Sequence, residues 1–318
     1  MNGQGKLLTH FLKNADKLVI PVYQRNYDWK EEHCKKLYSD LVKTVREGKR
    51  WHFFGGIVSV SDPMGSSSDY LVIDGQQRIT TVSLLLLAIA NLVKAGIVTP
   101  KDPNLYDVIT KKYLVDEINP KQRKMKLKPI KGDQDSYDRL WGDPSEYNQS
   151  SRITQNYLYF YNQIQRDDIS VDQLFSAVEK LQIIDITLTP PDDDPQLVFE
   201  SLNSTGLDLN EGDKIRNFVL MRRSMEEQEQ FYDDYWSPIE KNASYDRQTN
   251  SYDVSPFIRD YLGIKERRLT AMKEIYQEFK DYVEKRGQIE DVLKELRDYA
   301  KRYNKIRSGS PEFPLRLR

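Results

Sequence analysis

The stretch Tyr70-Leu71-Val72-Ile73-Asp74-Gly75-Gln76-Gln77-Arg78-Ile79-Thr80-Thr81 constrains this chain more than any other. Leu71 to Ile73 is a short β-rich apolar run, the length of a buried strand. Asp74-Gly75 breaks it, because glycine takes backbone conformations that other residues avoid. Thr81 to Ala95 is almost wholly apolar and reads as a buried helix, with Thr80 or Thr81 as its N-cap. A polar cluster therefore sits between a strand end and a helix start. Unpaired N–H groups and the positive end of the helix dipole suit such a place to phosphate. Arg78 adds a fork of donors for phosphate oxygens, and Asp74 can hold a metal ion or a water. The other reading is a plain turn in which Asp74 and Arg78 pair with each other. Spacing alone leaves both open.

Composition narrows the partners. The net charge is -1 with 31% charged residues, so nucleic-acid contact must come from local patches. The 20 tyrosines can serve packing, hydrogen bonding or base stacking. A single cysteine, Cys34, excludes an internal disulfide and a cysteine-built zinc site, and suits a reducing cytoplasm. His10, His33 and His52 are too scattered for a histidine metal cluster. No stretch reads as a membrane span or a signal peptide.

Other stretches offer site residues. Lys17 to Val22 reads as a strand closing at Pro21, followed by Tyr23-Gln24-Arg25-Asn26-Tyr27-Asp28-Trp29. Gln24, Arg25 and Asn26 make a dense donor group for a ligand, or a rigid turn over Tyr27 and Trp29. Asp28 or its polar neighbours cap a helix from about Lys30 to Arg46. Phe53 to Val60 is a second strand, whose Gly55-Gly56 pair suggests a bulge or a close approach. Lys121 to Lys131 holds six basic residues and no acid. It is a nucleic-acid patch or a half-exposed strand, and the alternation of Met125 and Leu127 with lysines favours the strand. Farther on, a helix ends at Asn203–Gly206 and another starts near Asn210. That corner is a phosphate or metal site, or simply a capped turn. Helical patterns then cover 222–236, 256–262, 269–286 and 289–303.

Taken in order, Pro21-x-Tyr23-Gln24-Arg25-x-Tyr27-x-Trp29, Phe54-x-Gly56, Ile73-Asp74-Gly75-Gln76-Gln77-Arg78-Ile79-Thr80-Thr81 and Phe199-Glu200-x-Leu202-Asn203-x-x-Gly206-x-x-Leu209-x-x-x-Asp213 resemble the N-terminal domain family of GmrSD-type restriction enzymes. The resemblance covers most of the chain. It implies an α+β fold, with a small ParB/sulfiredoxin-like mixed sheet carrying inserted helices and then a mainly helical C-terminal part. The division expected is 1–195, a ParB-like nucleotide-binding domain; 196–307, a helical extension; and 308–318, a disordered or vector-derived tail. The implied activity is binding and hydrolysis of an NTP, GTP among the candidates, with Mg²⁺. The implied setting is phage defence against modified DNA, including the phosphorothioate-sensing SspE branch. Asp74, Arg78 and Gln77 would be catalytic. Gln24, Arg25, Gly75, Gln76, Thr80, Thr81, Asn203 and Asp213 would bind the nucleotide. The metal ligands stay open, as does homo-oligomerisation. Complete enzymes of the family usually carry an HNH-type nuclease domain, but no histidine follows His52 here. DNA and a separate nuclease domain or subunit are thus the expected partners. There is no P-loop, and Gln76 and Gln77 stand where a sulfiredoxin would need cysteine. The competing reading is a sensor module that binds nucleotide or modified DNA without turnover.

Overall fold

Period-two alternation and long apolar runs resolve into a mixed sheet backed by a buried helix. The computed structural model describes residues 2–61, 69–116, 124–166, 169–190, 192–203, 209–221, 223–246 and 251–308. It divides into two compact units, Met1–Pro195 and Gln196–Arg318.

The first unit runs β1 (Asn2–Leu7), α1 (Leu8–Asn14), β2 (Lys17–Val19), α2 (Glu31–Arg46), β3 (His52–Ser61), β4 (Asp69–Asp74) and α3 (Gln76–Lys94). It continues with α4 (Leu105–Ile109), a π turn over Thr110–Leu114, β5 (Val115–Asp116), β6 (Lys124–Met125), β7 (Leu127–Lys128), α5 (Lys131–Arg139), α6 (Arg152–Ile164), α7 (Val171–Val178) and β8 (Leu181–Leu188). Six strands form one sheet in the order β1-β8-β3-β4-β2-β7, and β5 pairs with β6 apart from it. The expected α+β architecture is therefore observed. Residues 62–68, between β3 and β4, lie outside the described residues.

Sheet direction decides where the loops meet. β2 runs parallel to both β4 and β7, so the carboxyl ends of all three share one edge. β3 is antiparallel to β4 and parallel to β8, so β3 and β8 begin at that same edge. Ligand sites of α/β sheets form outside the carboxyl ends of strands. The residues after β2 and β4 are the two motifs singled out above.

α3 holds the core together. Leu84 to Leu87 are essentially inaccessible, each worth roughly 1.5–3 kcal/mol on burial. With 19 residues it is long and apolar enough to cross a membrane by length and composition alone, which corrects the reading of no such stretch. Its burial, 83% of the apolar window, fits the core helix of this unit. The helix also starts earlier than expected. Gly75 is its N-cap, with φ 93, and no side chain caps it. Thr80 and Thr81 lie in the second turn, so their amides are spent on the helix ladder and are not open to phosphate.

Gly75 cannot be another residue cheaply. A Cβ there would lie 3.0 Å from the Gly56 carbonyl oxygen and 3.0 Å from Ile57 Cγ1, in a backbone conformation that L side chains resist. Gly75→Ala is expected to cost about 1–3 kcal/mol. Urea unfolding reads this, and an unchanged midpoint would contradict it.

The lysine-rich stretch folds as the short strands β6 and β7, in line with the alternation. Within it, Lys126 is not open to DNA. It is buried, and its Nζ donates to the Leu12 and Lys13 carbonyls, 3.1 and 3.0 Å away, at the end of α1. A cation there satisfies carbonyls that the helix leaves open. Desolvation lowers its pKa. Residues 121–123 lie outside the described residues.

The second unit is helical: α8 (Pro195–Asn203), α9 (Glu211–Leu220), α10 (Met225–Phe231), a π turn over Tyr232–Trp236, and α11 (Ser237–Ala243). A two-stranded hairpin of β9 (Tyr245–Asp246) and β10 (Ser251–Tyr252) leads to α12 (Ser255–Glu266), α13 (Ile275–Arg286) and α14 (Ile289–Ser308). Trp236, Phe279, Leu293 and Leu296 are buried in it.

Candidate functional site

The backbone at the end of β4 opens the site. Ile79 N donates to Gly75 O at 3.0 Å, the first bond of the α3 ladder. The amides of Gln76, Gln77 and Arg78 precede that bond and have no carbonyl within the helix to reach. They form the positive end of a 19-residue helix.

Arg78 lies across the paired glycines of β3. Its Nη1 donates to the Gly56 carbonyl at 2.8 Å. A Cβ on Gly55 would fall 2.7 Å from Arg78 Nε, so glycine there makes room for the guanidinium. Gly55 has φ 118 and sits where the β3–β8 register shifts, as a bulge does. Asp74 Oδ2 is 3.6 Å from Arg78 Nη1, with the side chains 39% and 31% exposed. The plain-turn reading is thus partly right: the two do pair. An exposed i,i+4 pair is worth only about 0.3–0.5 kcal/mol. Charged hydrogen bonds to phosphate are worth roughly 1.5–3 kcal/mol. A phosphate would therefore outcompete Asp74 for this arginine.

The three glutamines are committed to the scaffold. Gln24 Nε2 donates to the Ile73 carbonyl at 2.7 Å, and Gln24 Oε1 accepts from Gln76 Nε2 at 3.0 Å. Gln77 Oε1 accepts from Asp28 N and Trp29 N at 3.0 and 3.1 Å, and its Nε2 donates to the Asn26 carbonyl at 3.3 Å. Both ends of the Gln77 amide are used, so its expected catalytic role becomes a holding role. The polar start of α3 thereby fastens the loop that follows β2.

That loop is pinned again from behind. Thr81 Oγ1 donates to Gln77 O at 2.7 Å, so the Tyr27 hydroxyl, 2.7 Å away, donates to Thr81. Tyr27 in turn accepts from Asn156 Nδ2 at 2.9 Å, and the same amide nitrogen donates to the Trp29 carbonyl at 2.6 Å. Chained donors of this kind reinforce one another in a dry interior. Tyr27 N donates to Asp133 Oδ2 at 2.6 Å. Arg25 stands between these anchors, half-buried and without a hydrogen bond or ion pair among the described residues.

Asp133 makes this scaffold sensitive to pH. Burial pushes its carboxyl up from 3.8 to about 6, against the lowering effect of the Tyr27 amide. The folded chain then holds a proton that the unfolded chain has lost between pH 4 and 6. Stability is expected to fall by about 2–3 kcal/mol as pH rises through that window. Asp133→Asn keeps an acceptor for Tyr27 N and should flatten that dependence. Parallel urea midpoints at pH 4.5 and 7 for both forms would contradict it.

The structure brings Gln24, Arg25, Asp74, Gly75, Gln76, Gln77 and Arg78 to one edge of the first unit, and Thr81 reaches the loop only from inside α3, through Tyr27. Thr80 is buried one turn inside α3. Asn203 ends α8 and Asp213 lies in the first turn of α9, where its amide donates to Asn210 Oδ1 at 2.7 Å. Both belong to the second unit. Sequence reasoning missed Asp133 and Asn156, which touch the loop from 106 and 129 residues away and carry no local signal.

The first unit is thus an α+β domain that sets an arginine at an open helix start over a glycine bulge. The sequence profile of the GmrSD restriction endonuclease, N-terminal domain, matches residues 8–220. That is about two thirds of the chain, and the chain belongs to this family. Its role lies in a restriction system. None of the curated proteins compared with it gives a match.

Proposed function

We propose that this chain binds and hydrolyses a nucleoside triphosphate, GTP among the candidates, and so regulates a restriction system acting on modified DNA. The observation that carries the reading is Arg78. It is an accessible guanidinium at the open start of α3, seated on Gly55-Gly56 and beside the Asp74 carboxylate. Phosphoryl transfer depends mainly on positioning and on neutralising charge. The first-turn amides and Arg78 would hold phosphate oxygens, and Arg25 is a second cation on the adjoining loop. Asp74 would orient the attacking water. Mg²⁺ fits this donor set, since protein sites for it usually give one or two carboxylates and leave the rest to water and phosphate. Asp74 would be that carboxylate, and the cation would offset charge on the phosphates. Gln24, Gln76 and Gln77 keep the loop in register. The cutting chemistry would belong to a nuclease domain or subunit, reached with DNA in the cytoplasm.

One observation favours the sensor reading instead. The glutamines are bonded to the scaffold, which leaves few side chains free for chemistry. Phosphate release by the purified chain, with Mg²⁺ and each of the four NTPs, separates the two. Turnover is expected. Tight binding without release would support the sensor.

A further inference from the structure

A second surface adjoins the site and is not part of it. The sequence Lys43-Thr-Val-Arg46-Glu-Gly-Lys49-Arg50-Trp51-His52-Phe53-Phe54 joins α2 to β3 and sets four Lys or Arg against one acid. Trp51 and Phe53 are 57% and 51% exposed, unusual for large apolar rings. Lys49, Arg50, Trp51, His52 and Phe53 line an open hollow of about 480 Å³. His52 Nε2 lies 3.7 Å from Asp40 Oδ2 on α2, so His52 faces that helix. Trp51 immediately precedes β3 and Phe53 is its second residue, so the two exposed rings flank His52 along the wall of the same hollow. Lys49 is paired with Glu47 at 2.8 Å, whereas Arg50 is exposed and has no partner among the described residues.

We propose that Trp51 and Phe53 form a stacking platform for unpaired bases of a DNA single strand, with Arg50 on the backbone phosphate. Two residues of extended chain span at most about 7 Å. That is about twice the rise per base, so the rings carry successive bases or sandwich one. Aromatic rings flanked by free cations are how proteins hold single strands without reading sequence. Glu47 is taken by Lys49, which leaves Arg50 as the open cation beside the rings. Such a platform would serve a restriction protein by holding a strand or a base taken out of the duplex. The platform does not depend on the nucleotide reading, because among the described residues no hydrogen bond or ion pair joins residues 49–53 to Arg78 or Asp74.

The test is fluorescence anisotropy of a labelled oligothymidylate with the full chain at low salt. Trp51→Ala and Phe53→Ala should each weaken binding about tenfold, while Trp51→Phe retains most of it. Arg50→Ala should lower the slope of log affinity against log salt by about one. Trp51→Ala and Arg50→Ala should leave NTP binding unchanged, which separates this surface from the nucleotide site. A blunt duplex should bind with no dependence on the two rings. The rings are exposed, and circular dichroism would show the variants folded. Absence of binding by the parent, equal binding by the ring variants, or a light-scattering dimer lost in Trp51→Ala would overturn the proposal.

Discussion

Arg78→Ala is expected to weaken NTP binding at least tenfold while the fold is retained. The bonds lost are charge-assisted and forked, about 1.5–3 kcal/mol in all. The folded state loses little, because the pairing with Asp74 is accessible and the Gly56 carbonyl can be met by water. Arg78→Lys should recover only part of the affinity, since an ammonium is a point charge without the planar fork. Calorimetry reads both variants. Unchanged affinity in Arg78→Ala would sink the assignment of this arginine.

Asp74→Asn is expected to cut turnover about a hundredfold and to change affinity far less. Asparagine keeps the shape and removes the charge, so an interaction made mainly in the transition state is lost selectively. If Asp74→Asn and Asp74→Ala both hydrolyse NTP at the parental rate, Asp74 is a turn residue and the partner of Arg78, and nothing more.

The strand, the glycine turn and the buried helix around Asp74 were legible because three local signals agree there. A short apolar run, a residue fit for positive φ and a long apolar run each point to the same unit. The helix start was not legible. Gln76, Gln77 and Arg78 look like loop residues because they are polar. Their polarity serves contacts with Gln24, Asp28, Trp29 and Gly56, which no local window contains. Threonine at 80 and 81 imitates a cap for the same reason: Thr81 serves Tyr27 and the second turn. Lys126 alternates as a strand residue should, yet its acceptors lie on α1, 113 and 114 residues away. The paired glycines of β3 were visible as a sign of close approach. What approaches them, the Arg78 side chain, was not.

If the proposed function holds, the start of α3 and the loop after β2 receive the phosphates. Hydrogen exchange with mass-spectrometric readout tests it without altering a residue. Saturating NTP and Mg²⁺ should slow exchange in peptides covering Asp74–Ile79 and Gln24–Asp28, because ligand oxygens would occupy the amides that open the helix. Slowed exchange elsewhere in the chain, with both of these segments unchanged at saturation, would contradict the account.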